Sequence, residues 1–209
     1  MSENYAQAER AALCDVFLDV GPDAPTLCEG WTTRDLATHL IVRERRFDAA
    51  VGIVLPIGKE HAARVTREIS ARPWADLVQT VRTGPPKWSP LGLFDRLANT
   101  TEYFIHHEDV RRAQAEWEPR ELTREHDDEL WRILRRMSKL FLRKSPTGVT
   151  LATRAGARAT AKEAQPNVVV TGAPGELTMF VSGRQSHARV DLEGPPDAVD
   201  ALRAASFGV

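Results

Sequence analysis

The spacing of apolar residues changes once along this chain, and the change falls at Pro146. Before it, apolar side chains recur every three or four positions over long stretches, which is the pattern of helices that each hide one stripe. After it they fall in short runs bounded by Gly, Pro and Asn, which is the pattern of strands. The expectation is a helical domain over 1–145 and a small α+β domain over 146–209, joined at Lys144-Ser145-Pro146-Thr147-Gly148.

In the first part, Glu3 to Val20 places Ala8, Ala11, Ala12, Val16 and Phe17 near one helix face and stops at Gly21-Pro22. Thr32-Thr33-Arg34-Asp35 resembles a capping box, with a hydroxyl at the N-cap and a carboxylate three residues on. The helix it opens is expected to reach about Ile53, with Leu36, Leu40, Phe47 and Val51 inward. Residues 59–83 suit two shorter helices, the second starting at Pro73. Long helices are predicted over Leu91–Ala113 and Thr123–Arg143. The last carries a broad stripe of Leu130, Ile133, Leu134, Met137, Leu140 and Phe141. Four long amphipathic helices that cannot bury their stripes alone suggest a four-helix bundle.

Beyond Pro146, strands are expected at Val149–Thr153, Ala159–Ala164, Val168–Thr171 and Arg189–Leu192. Helices are expected at Gly175–Ser182 and Asp197–Ala205. The order β-β-β-α-β-α in so short a span implies a compact α+β unit.

Composition removes several function classes. Lys and Arg number 28 against 29 Asp and Glu, so no basic excess draws the chain to nucleic acid or anionic lipid. Mean hydropathy is -0.35, and no apolar run approaches the roughly 20 residues that span a bilayer. The N-terminal MSENYAQAER lacks the basic and apolar regions of a secretory signal, so a cytoplasmic setting is the expectation. Cys14 and Cys28 are too few for a disulfide framework or a thiolate zinc cluster, and neither has a neighbouring base that marks a nucleophile. HExxH, GxSxG, P-loop and GxGxxG motifs are absent.

The chemistry lies in Asn99-Thr100-Thr101-Glu102-Tyr103-Phe104-Ile105-His106-His107-Glu108-Asp109. On a helix, Glu102 and His106 stand one turn apart on one face, and Asp109 continues it. Such a pair can grip one metal ion from a single helix, with a third ligand supplied by another. His39, flanked by core-type residues, is the best candidate for that third ligand. Two imidazoles and a carboxylate leave an open coordination position and suit Zn²⁺, with Ni²⁺ or Fe²⁺ also compatible. Asp109 would accept from a ligating imidazole, and Asp35, four before His39, is mainly a cap with a lesser claim to the same role.

Spacing alone leaves plainer readings open. A Glu-x-x-x-His pair marks a ligand set in about one case in ten. His39 also fits a satisfied core histidine, and Asp109 fits a solvated partner of Arg111 or Arg112. His107 lies about 100° round the helix from His106 and faces solvent or the edge of the site.

The stretch Gly30-Trp31-Thr32-Thr33-Arg34-Asp35-Leu36-Ala37-Thr38-His39-Leu40 resembles the W-[ST]-x-[RK]-D-[LV]-x-x-H-[LI] signature of the DinB-like mycothiol-dependent maleylpyruvate isomerase family. Glu102 to Asp109 is similar to its second signature, E-x-x-x-H-x-x-D, and Val168 to Leu177, Ser182-Gly183-Arg184 and Leu192-Glu193-Gly194 resemble its C-terminal domain. The resemblance spans nearly the whole chain. It implies a DinB-like four-helix bundle with metal ligands at His39, Glu102 and His106, and an actinobacterial cytoplasmic enzyme. It further implies mycothiol as a co-substrate whose metal-bound thiolate attacks a small electrophilic substrate, with transferase or isomerase outcome. Arg184 is the best match to the family's arginine for an anionic substrate. The rival reading is a protein that binds metal and small ligand, or senses them, without turnover. No nucleic-acid or membrane partner is expected, and homodimerisation through an exposed bundle face is compatible with the sequence.

Overall fold

A computed structural model describes residues 4–46, 48–49, 58–85 and 96–207. The chain divides into two compact units, Met1–Trp117 and Glu118–Val209.

The first unit holds α1 (Tyr5–Val20), α2 (Thr33–Arg45), α3 (Lys59–Ser70), α4 (Trp74–Thr83) and α5 (Arg96–Arg111). Helix α1 packs along α5 and against α4, while α2 packs on α4 and α3. Their shared core includes Leu13, Phe17, Leu36, Leu40, Ile69, Leu77, Val78 and Tyr103. The inward stripe of α1 differs from the expected alanine face: it is Ala6, Glu9, Leu13, Cys14 and Phe17. An acidic residue can sit there because Glu9 Oε2 lies 2.7 Å from His107 Nδ1, so the buried charge has a partner. The proposed inward positions Leu36 and Leu40 are buried. Helix α2 ends at Arg45, with Arg46 as its C-cap, short of the expected Ile53; Phe47 and Val51 lie outside the described residues.

Helix α2 starts where the Thr-Thr-Arg-Asp pattern places it. Thr32 accepts from the Asp35 backbone N–H, and Asp35 accepts from the Thr32 N–H in return. Ahead of it, residues 21–32 form an ordered connection: Thr33 Oγ1 donates to Gly21 O at 2.5 Å, and Pro25 pairs with Thr32 in an isolated bridge. Leu27 N donates to Asp109 O at 3.0 Å, which ties this connection to the C-terminal part of α5.

The second unit holds α6 (Arg124–Phe141), β1 (Gly148–Thr153), β2 (Arg158–Lys162), β3 (Asn167–Gly172), α7 (Pro174–Val181), a 3-10 turn (Gln185–His187), β4 (Asp191–Glu193) and α8 (Pro196–Ala204). The β-β-β-α-β-α order matches expectation. The sheet order is β2-β1-β3-β4, with β1 parallel to β3 and antiparallel to β2. Periodicity carries no information on that arrangement, because strand partners are set by long-range packing. Gly183 follows α7 at φ 87°, and a Cβ there would meet Phe207 O at 2.3 Å, so only glycine fits.

The expected division after residue 145 differs from the observed one, which precedes α6. Leu134 of α6 joins Leu142, Val149, Leu151, Val168, Leu177 and Phe180 in the second core. Helix α6 packs on α7 and β2. The segment read as a linker is integrated as well. Ser145 and Thr147 are buried, and Lys162 Nζ donates to the carbonyls of Arg143 and Ser145. A broad apolar stripe announces a buried helix face but does not say which neighbour covers it.

Leu134→Ala is expected to destabilise the chain by about 2–4 kcal/mol, as a buried leucine lost from a packed core. Leu140→Ala, at a position 45% exposed, is expected to change stability by less than about 0.5 kcal/mol. Urea denaturation of both variants checks the assignment of α6 to the second core.

Candidate metal centre

Three elements of the first unit supply the polar groups. Helix α2 presents His39 just beyond its capped first turn, α5 presents Glu102, His106 and Asp109 one turn after another, and the 21–32 connection presents Cys28 and Trp31. The side chains of His39, Glu102 and His106 are 25%, 28% and 12% exposed, so each is partly withdrawn from water yet reachable.

The ligand-type atoms of His39, Glu102 and His106 lie within 4.8 Å of one another. Glu102 Oε1 stands 3.3 Å from His106 Nε2 and 3.7 Å from His39 Nε2. Two donors bound to one tetrahedral zinc ion at ~2.1 Å each are ~3.4 Å apart, so these separations fit a common cation. The His39 ring rests between Trp31, at 5.1 Å between centroids, and His106, at 5.7 Å. Those contacts fix its plane.

His106 is oriented from behind. Its Nδ1 lies 3.0 Å from Asp109 Oδ2, and Asp109 is fully buried. With Nδ1–H donating to that carboxylate, Nε2 is left facing Glu102, as in the carboxylate–histidine pairs that support metal sites. Asp109 thus meets His106, the role that its spacing suggested beside the solvated one. Glu108 accepts from Arg111 Nη1 at 2.9 Å and from Arg112 Nε at 2.5 Å. His107, expected at the solvent or the site edge, is instead buried on Glu9. Asp35 serves the cap: its Oδ2 accepts from Thr32 N at 2.9 Å and Thr32 Oγ1 at 2.7 Å. Arg184 stands in the second unit after α7, where Nη1 donates to Ser182 O at 2.6 Å.

Electrostatics follow from this crowding. Burial raises the Glu102 carboxyl, but His106, His39 and Arg43 outweigh it and hold the group well below the usual carboxylate range. Burial lowers His106, while Asp109, Cys28 and Glu102 outweigh that and hold its imidazole well above the ordinary value. A proton and a cation thus compete for His106.

Cys28 is the residue that sequence reasoning missed. Its Sγ donates to Asp109 Oδ2 at 3.3 Å, and Cys28, His106 and Asp109 form a second group whose ligand-type atoms lie within 4.8 Å. The two groups share His106. In the sequence, 81 positions separate Cys28 from Asp109, and neither residue type nor spacing marks them as neighbours.

The two thiols should behave differently. Cys14 is buried and its thiol is pushed up to about 12 by burial, so below that pH it stays protonated and unreactive. Cys28 is half-buried. Alkylation of the native chain at pH 8 is expected to label Cys28 and spare Cys14, with both labelled after denaturation, as read by peptide mass spectrometry.

Comparison with known proteins bears on the fold. Residues 6–69 match the family described as mycothiol maleylpyruvate isomerase N-terminal domain. Crystal structures of the mycothiol-dependent maleylpyruvate isomerase and of a histidine-to-alanine mutant of it superpose with TM-scores of 0.55 and 0.56. Each is 14% identical, with 90% of both chains covered. No curated protein matches the sequence significantly. No helix among the described residues is long and apolar enough to cross a membrane. Residues 6–69 are thus similar to that family's N-terminal domain, and the chain shares the fold of the two crystal structures.

Proposed function

We propose that this chain is a mycothiol-dependent isomerase or S-transferase acting on a small electrophilic substrate, with a divalent cation held by His39, Glu102 and His106. The observation that carries the reading is the approach of Glu102 Oε1 to both imidazole Nε2 atoms, at 3.3 and 3.7 Å. A borderline-soft ion such as Zn²⁺ suits two imidazoles and one carboxylate, and Ni²⁺ or Fe²⁺ is accommodated by the same donors. A cation bound there would supply Lewis acidity, lowering the pKa of a thiol or water at the open position.

The residues of the chain do the rest. With a cation in place, Asp109, 3.0 Å from His106 Nδ1, would hold the ring proton on that nitrogen and present Nε2 to the ligand position. Trp31 packs on His39 and is itself 36% exposed, which gives the site one flat apolar wall. Cys28 donates to Asp109 Oδ2 and lies beside His106 as well. The Cys28 group is the weaker candidate, since its Asp109 is fully buried whereas His39, Glu102 and His106 are each partly exposed.

Reconstitution with Zn²⁺ followed by elemental analysis is expected to give about one equivalent in the wild type. His39→Ala and Glu102→Gln are each expected to fall below about a tenth of an equivalent. Retention of metal by both variants would sink the ligand assignment. Incubation with mycothiol and a panel of electrophiles is expected to form products in the wild type and none in Glu102→Gln. Thiol binding without conversion would instead favour a non-catalytic ligand-binding protein.

A further inference from the structure

Arg43 lies four residues after His39 on α2, so the two side chains leave the same helix face one turn apart. Its Nε stands 3.4 Å from Glu102 Oε1 and its Nη1 donates to Asn99 Oδ1 at 3.0 Å. These contacts are loose beside those of other arginines in the same unit. Arg10 holds Glu44 at 2.6 Å and stacks over Tyr103, while Arg112 holds Glu108 at 2.5 Å and lies over Trp117. A guanidinium carries five N–H donors in a rigid fork. Two of its nitrogens are engaged here, and Nη2 has no partner among the described residues. The side chain is 22% exposed, so the guanidinium is partly reachable from solvent beside the candidate ligand group.

A fixed positive charge next to a cation position is costly for the cation, since like charges a few ångströms apart repel. It becomes favourable when an anion arrives to share both charges. The fork geometry matches a carboxylate, which it can bind through two parallel hydrogen bonds. We propose that Arg43 is the anion-holding residue of this site: its Nε faces Glu102, and the rest of its fork serves a carboxylate on the molecule bound beside the cation. This inference rests on the cation assignment made above and adds the residue that selects for an anionic guest.

The proposal reverses the sign that a merely structural arginine would show. Removing a structural brace loosens Glu102 and weakens metal binding, whereas removing a repelling charge strengthens it. Zinc affinity, measured against a competing chelator at low salt, is expected to be about tenfold tighter in R43Q than in the wild type, with the gap shrinking at 0.5 M NaCl. R43K retains the charge and is expected to keep wild-type zinc affinity. Succinate, titrated into the zinc-loaded chain by calorimetry, is expected to bind at least about tenfold more weakly to R43Q than to the wild type. Unchanged or weaker zinc binding in R43Q, a zinc affinity in R43K that shifts as in R43Q, or undiminished succinate binding overturns the proposal. A wild-type chain that takes up no zinc overturns the cation assignment instead. Succinate binding to zinc-free wild type and R43Q then still decides the role of Arg43, and equal binding by the two overturns it.

Discussion

One carboxylate oxygen organises the candidate site. Glu102 Oε1 is approached by His39, His106 and Arg43, all within 3.7 Å. A largely buried carboxylate demands such company, because an ion withdrawn from water without partners is costly. The same demand recurs along α5, where Glu108 and Asp109 are fully buried and each is met by charged or hydrogen-bonding neighbours. Helix α5 therefore works as a rack of acidic and imidazole groups, and the helices around it are arranged to answer them.

The connection between α1 and α2 has a comparable burden. It brings Trp31 against His39 and Cys28 against Asp109, while Leu27 hydrogen-bonds the backbone of α5. The capping box at Thr32 and Asp35 then sets where α2 begins, and hence how far along the helix His39 sits. A shift of one residue at that cap would turn His39 by about 100° away from Glu102. Local chemistry at a helix start thus controls a contact between distant parts of the chain.

Much of this was legible from residues in order. The capping box was readable because its two partners are three positions apart, and the Glu102–His106 pair because it is a single helical turn. The strand and helix order after Pro146 was readable from runs and breakers. What escaped has a common physical cause. Cys28 reaches Asp109 across 81 positions, His107 reaches Glu9 across 98, and α6 buries Leu134 against strands that follow it. Periodicity reports that a face is buried, whereas these contacts depend on what buries it. The inward Glu9 shows the converse limit, since a charge in a core stripe looks wrong until its partner is known.

Among the described residues, both candidate metal-ligand groups, from Cys28 to Asp109, precede Glu118, where the second unit begins with its own hydrophobic centre. Ancestral recombination at that junction would pass the whole ligand constellation on intact while exchanging everything downstream. A lineage built this way can hold its inorganic chemistry constant and vary its clientele.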